Sequence, residues 1–137
     1  MKFVALRTPA EWEWFAQRDK GLLLPDAKGI AVYDEDVQVA AVVFDQWTRN
    51  MCRAHIVIES PHAVHRGPDE IYNYVFNTCD RAIMIGWVIS SNRPVVELLK
   101  RLGWIESLRI PDGYTNGDDV ICFTYTKDLW INQRVAA

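Results

Sequence analysis

Between Gly29 and Ser60 three apolar segments follow one another across two short turns. They are GIAVY (29–33), VQVAAVVFDQW (37–47) and CRAHIVIES (52–60), separated by Asp34-Glu35-Asp36 and by a turn at Thr48-Arg49-Asn50-Met51. Connections this short join antiparallel strands, because a parallel pair needs a crossover of about a dozen residues or more. The stretch therefore predicts a three-stranded antiparallel meander. In its last strand Ala54, Ile56 and Ile58 fall on one face and His55, Val57 and Glu59 on the other, by the period of two. The polar side chains share a face.

The flanking segments read as helices and further strands. Thr8-Pro9-Ala10-Glu11 is a capping box with Pro at the first helical position, which predicts a helix from about residue 9 to 19 with Trp12, Phe15 and Ala16 on one face. A connector over 21–28 is broken by Pro25 and Asp26. PHAVHRGP (61–68) is a loop, and apolar residues at 71, 74, 75 and 79 give Asp69 to about Asp80 a helical spacing. AIMIGWVI (82–89) is nearly continuously apolar, as expected of a strand buried on both faces. After Pro94 the residues Val95, Leu98, Leu99 and Leu102 form a helical stripe that ends at Gly103. WIESLRI (104–110) is then a strand, PDGYTNGDD a turn-rich loop, and VICFTYTKDLW (120–130) a final strand with a short polar tail. The order is that of a mixed α+β sheet in a single domain over 1–137, not of strictly alternating βαβ units.

Half of the 137 residues are apolar, enough for one core without metal or disulfide staples. The net charge of −3, with Lys and Arg scattered, gives no basic stripe, so nucleic acid is not an expected partner. Cys52, Cys79 and Cys122 lack CxxC or Cys/His spacing, so the expectation is reduced, buried thiols and no metal site. No apolar run approaches the roughly 20 residues that span a bilayer, and residues 1–15 lack the pattern of a signal peptide. The expectation is a cytoplasmic protein with no membrane partner.

With Asn92, Val95, Leu98, Leu99 and Gly103-Trp104, the element order resembles the GCN5-related N-acetyltransferase (GNAT) family. In that family the helix after the fifth strand carries Asn, then a small apolar residue, Leu, Tyr and Gly-Phe at these spacings. The resemblance covers roughly 1–130 in element order and 84–126 in motif. FDQW (44–47), HIVI (55–58) and RIPDGY (109–114) are also similar to a divergent, phage-encoded branch. The resemblance implies a GNAT fold, a mixed and mostly antiparallel sheet flanked by helices. It also implies transfer of an acetyl group from acetyl-CoA to an amine of a small molecule or protein. The family's acyl-CoA signature falls on Val64-His65-Arg66-Gly67-Pro68-Asp69, where only Gly67 matches. Pro68 removes an amide donor and Asp69 adds negative charge, which His65 and Arg66 could offset. A loop that binds nothing, with Asp69 capping the helix, is the alternative.

The implied site extends to the main chain of Val57 and Ile58, which would face the pantetheine arm and supply an oxyanion donor. Asn92 would reach the pantetheine amides, a role that competes with capping the helix unless Ser91 takes the cap. For a base, His55 and Glu59 are the candidates, and the turn at 48–51 suggests that Asp45 lies opposite His55, where a carboxylate raises an imidazole's basicity. The same pair would equally serve as a cross-strand contact on a half-exposed sheet. Leu99 stands where the family has its Tyr acid, and Tyr72 and Tyr114 are conceivable substitutes. Asp112, Asp118 and Asp119 could attract a cationic amine or simply make turns. An edge at Leu129-Trp130 would allow a homodimer. A GNAT-fold binding or assembly module without catalysis is the second reading.

Overall fold

The computed structural model describes residues 1–60 and 68–136. They group into two compact units, Met1–Arg81 and Ala82–Ala137. The first contains strand β1 (Lys2–Ala5), helix α1 (Pro9–Arg18), strands β2 (Lys28–Asp34), β3 (Val37–Asp45) and β4 (Met51–Ile58), and helix α2 (Pro68–Asn73), which widens into a π-helical turn over Tyr74–Thr78. The second contains β5 (Ile83–Ile89), α3 (Arg93–Arg101), β6 (Ile105–Thr115), β7 (Asp118–Thr126) and α4 (Lys127–Ala136). Among the described residues no helix is long and apolar enough to cross a membrane.

In the first unit the meander β2-β3-β4 forms as expected, and β1 adds to its β2 edge, every pairing antiparallel. The capping box of α1 is complete: Thr8 Oγ1 accepts from the Glu11 amide at 3.2 Å, and Glu11 Oε1 accepts from the amides of Thr8 and Arg7, each at 3.1 Å. Its other oxygen accepts from the Tyr33 hydroxyl at 2.6 Å, tying the helix start to β2. The Tyr33 phenol and the Thr8 and Arg7 amides outweigh burial and lower the Glu11 carboxyl to about 2. Phe15 packs with Leu6, Ala31, Ala41 and Val43. Burying a Phe is worth about 1.5–3 kcal/mol against about 1 kcal/mol for a cap, so packing does more than capping to hold α1 on the sheet. Next along the chain, Phe44 lies 5.8 Å, ring to ring, from Tyr74 of the π-helical turn. That turn is closed by the Cys79 amide donating to the Tyr74 carbonyl at 2.8 Å.

In the second unit the strand order is β5-β7-β6, all antiparallel. Strand β5 alternates: Met84, Gly86 and Val88 are buried while Trp87 is 43% exposed. The expectation of burial on both faces is therefore corrected. Helix α3 ends in a Schellman motif, with the Trp104 amide donating to the Leu99 carbonyl and the Gly103 amide to that of Lys100, at 2.9 and 3.0 Å. Gly103 takes the left-handed conformation this requires (φ 90°). Trp104 then stacks on Tyr125, ring centroids 5.5 Å apart.

The end of the chain departs from the sequence reading. Strand β7 stops at Thr126, whose hydroxyl accepts from the Leu129 amide at 3.1 Å, and 127–136 is helical. Trp130 is buried in that helix and not on a strand, so the dimer edge expected at Leu129-Trp130 does not exist. In this unit β6 is an edge strand, exposed along all eleven residues. It also absorbs most of the expected 111–119 loop, leaving a tight turn at Asn116-Gly117.

Candidate active site

The β3–β4 register places Asp45 opposite Arg53 and Val43 opposite His55. This corrects the expected Asp45–His55 pairing by two positions. Thr48 and Met51 do close a turn, with the Thr48 amide donating to the Met51 carbonyl at 2.8 Å. Gln46, however, adopts a left-handed conformation (φ 55°) and interrupts the ladder between that turn and the strands. The two side chains meet all the same, as diagonal neighbours on one face: His55 Nε2 is 2.9 Å from Asp45 Oδ1.

Asp45 is completely buried. Arg53 grips it with two hydrogen bonds, Nε to Oδ1 at 2.8 Å and Nη2 to Oδ2 at 2.7 Å, and the Leu24 amide donates to Oδ2 at 2.9 Å. Burial would raise the Asp45 pKa, but Arg53, the Leu24 amide and His55 together hold it well below the usual carboxylate range. On the other side of the imidazole, Nδ1 of His55 is 3.7 Å from Asp19 Oδ2, at the end of α1. Burial would make His55 less basic, but Asp19 and Asp45 outweigh it and raise the pKa. The Asp19 carboxyl is lowered in turn, chiefly by its contact with His55. The cluster sets two carboxylates against a guanidinium and an imidazole that the carboxylates make more basic. An imidazole takes a proton from an amine only in its neutral form.

Glu59 is engaged elsewhere, in an ion pair with Arg18, whose guanidinium carbon lies 3.9 Å over the Trp14 ring. Its amide donates to the Val39 carbonyl at 2.8 Å. Amides alternate direction along an antiparallel strand, so the Val57 amide also points toward β3 and the Ile58 amide points away from it. Of these three main-chain donors, Ile58 is the one that β3 does not claim.

In the second unit Asn92 precedes α3, its carbonyl accepting from the Val96 amide at 3.1 Å, while its side chain makes no capping bond. Ser91 does not cap either. Its hydroxyl donates to Asp118 Oδ2 at 2.6 Å, and Ser90 donates to Oδ1 of the same carboxylate at 2.8 Å. Asp119 accepts from Arg109 at 2.9 Å and from the Asp112 amide at 3.0 Å, and Asp112 accepts from the Gly117 amide at 2.7 Å. These three acids make turn and hairpin contacts, the alternative raised for them above. Leu99 is buried in the core and Tyr72 is buried with its ring near Phe76, while Tyr114 is exposed. His65, Arg66 and Gly67 lie outside the described residues. Arg53 and Asp19 were not anticipated as site residues. Arg53 shares the His55 face by the same period of two that singled out Glu59, whereas Asp19 is distant in sequence and carries no comparable signal.

Neither a family model nor a curated protein matches the sequence. Solved structures do. A mutant form of the spermidine N-acetyltransferase SpeG from Vibrio cholerae matches with a TM-score of 0.77 and 12% identity, over 98% of this chain and 99% of that one. The same organism's spermidine/spermine N-acetyltransferase SpeG, in complex with manganese ions, gives 0.75 and 13%, over 96% and 95%. A GNAT-family structure from Desulfovibrio desulfuricans gives 0.73 and 13%, over 91% and 98%. The fold is that of the GCN5-related N-acetyltransferases. At such identities the likeness is one of backbone. The GNAT fold read from Asn92 to Trp104 is the fold observed, including the glycine-terminated helix that suggested it.

Proposed function

We propose that the protein is an acyl-CoA-dependent N-acyltransferase that transfers an acetyl group from acetyl-CoA to an amine. The observation that carries this reading is a GNAT fold spanning nearly the whole chain, in which the Ile58 amide points away from β3. Acetyl-CoA, when bound, supplies an acyl group activated as a thioester. Two features of the described residues support such a donor: the Ile58 N–H is not spent on β3, and the Asn92 side chain makes no capping bond to the helix. By the resemblance, the Val57 and Ile58 main chain lies along the strand the family uses. His65, Arg66 and Gly67 are assigned to the pyrophosphate by the sequence resemblance alone.

On the acceptor side, His55 is the proposed base, oriented by Asp45, with Asp19 against its other nitrogen. It acts in its neutral form, so turnover favours pH above the imidazole's raised pKa. Leu99 cannot protonate a leaving thiolate, and none is strictly required, since a thiol of pKa about 8.5 is a tolerable leaving group. Spermidine is the first acceptor to try, because the SpeG neighbours are named for it. One of them is described as dodecameric. For this chain we place self-association at the exposed β6 edge, where Ile105, Leu108, Ile110 and Tyr114 stand in solvent.

A second reading is favoured by Leu99 at the position of the family's Tyr and by Pro68-Asp69 in its cofactor segment. It is a GNAT-fold binding or assembly module, consistent with the resemblance to a phage-encoded branch. Release of free thiol from acetyl-CoA, with and without spermidine or a panel of primary amines, separates the two. Amine-dependent release supports transfer, and its absence across the panel with folded protein supports the module.

A further inference from the structure

Within the first unit, beside the π-helical turn, lies a cavity of about 530 Å³, within the usual size range of small-ligand sites. Trp47, Lys28, Arg81, Tyr74 and Asp26 are among its lining residues. The Lys28 ammonium and the Arg81 guanidinium carbon lie 5.8 and 5.2 Å from the Trp47 ring centre. Two donors, Trp47 Nε1 and Arg81 Nε, are buried and have no acceptor among the described residues. Buried polar groups are satisfied in the great majority of cases, and each exception requires a reason.

The only carboxylate among the described lining residues, that of Asp26, does not supply that acceptor. Asp26 spends one oxygen on the Gln46 amide at 3.1 Å and the other on the Trp47 amide at 3.0 Å, holding the left-handed turn at Gln46. Burial, with the neighbouring Cys79 thiol, pushes the Tyr74 phenol up to about 12, so it too remains a donor. The cavity thus combines two cations against one committed carboxylate with more donors than acceptors.

We propose that this cavity binds an anionic ligand presenting a carboxylate or phosphate group to Arg81, Lys28 and the indole N–H of Trp47. An oxygen anion is the acceptor that donors of this kind lack, and the two cations beside the Trp47 ring strengthen its binding. The π-helical turn is the backbone feature that brings Tyr74, Thr78 and Cys79 to one wall, and such turns are frequent at functional sites. The proposal stands apart from acyl transfer and needs no acyl donor.

The test follows the Trp47 indole N–H signal by two-dimensional NMR, assigned by its loss in Trp47→Phe. The folded protein is titrated with inorganic phosphate and separately with acetate, at constant ionic strength kept with chloride. The expected result is a saturable shift with one of the two anions, weakened at least about tenfold in Arg81→Gln, as loss of a charged hydrogen bond implies. Saturation by phosphate alone assigns a phosphoryl ligand, and by acetate alone a carboxylate. Lys28 is exposed, so Lys28→Gln provides a variant expected to fold normally and to bind several-fold more weakly. No saturable shift with either anion, or titrations of both variants matching the unsubstituted protein, would overturn the proposal.

Discussion

His55 and Asp45 meet at 2.9 Å although neither is the other's cross-strand partner. The place opposite Asp45 belongs to Arg53, which binds the carboxylate through two nitrogens. Asp45 is therefore shared between a guanidinium in register and an imidazole on the diagonal. That geometry makes a fully buried carboxylate tolerable, and it raises the basicity of the proposed base.

The cluster gives stability a definite pH profile. His55 has a folded pKa above its unfolded value of about 6.5, so its contribution is complete below that pH and is lost as pH rises through the folded value. Asp45, Asp19 and Glu11 are depressed, so theirs is complete above about pH 4.3 and is lost as pH falls through their folded values. Urea midpoints should form a plateau between about pH 4.3 and 6.5. His55→Gln should remove the decline attributable to this group above the plateau and keep the acid limb. Parallel curves for the two proteins above pH 6.5 would contradict the assignment.

Arg53→Met leaves the buried Asp45 with only the Leu24 amide and His55. We expect a loss of about 2–4 kcal/mol, below the range for a fully buried pair because Arg53 is partly exposed. Adding Asp45→Asn should recover part of that loss, giving a coupling of at least about 1 kcal/mol in a denaturation cycle. Additive losses would mean that the pair is screened.

Gly103 serves two needs that can be separated. Its φ of 90° favours glycine, and an added Cβ would sit 2.0 Å from Gln133 Nε2. Gly103→Ala should cost about 1–3 kcal/mol. In a Gln133→Ala background the cost should fall toward about 1 kcal/mol, the backbone share alone. An equal cost in both backgrounds, read from thermal or urea unfolding, would show that Gln133 yields freely.

If His55 is the base, kcat/KM for acetyl transfer should rise with pH through a pKa above the ordinary imidazole value, and that limb should vanish in His55→Gln. A variant that keeps the limb would leave the cluster a structural one.

The sequence made the meander, the capping box and the Schellman end of α3 legible because each depends on local chemistry: short turns, Thr8 with Glu11, and Gly103. The register was not legible, since it turned on the left-handed residue Gln46 and not on the turn at 48–51. Strand β1 is only four residues long, too short to display a period. Helix α4 was hidden because VICFTYT leads into KDLW without a Gly or Pro, and the Thr126 hydroxyl marks the change only once its partner, the Leu129 amide, is known. The site split in the same way: His55 and Asp45 were visible as polar residues on apolar strands, whereas Asp19 reaches His55 from the end of a distant helix.

Whether this GNAT fold takes an acyl-CoA donor is decided by calorimetric titration with acetyl-CoA, alongside Asn92→Ala. The expected result is saturable binding that Asn92→Ala weakens about tenfold, the worth of roughly one good hydrogen bond. No binding heat at millimolar acetyl-CoA, from protein shown to be folded, would contradict it and leave the fold as a binding or assembly module.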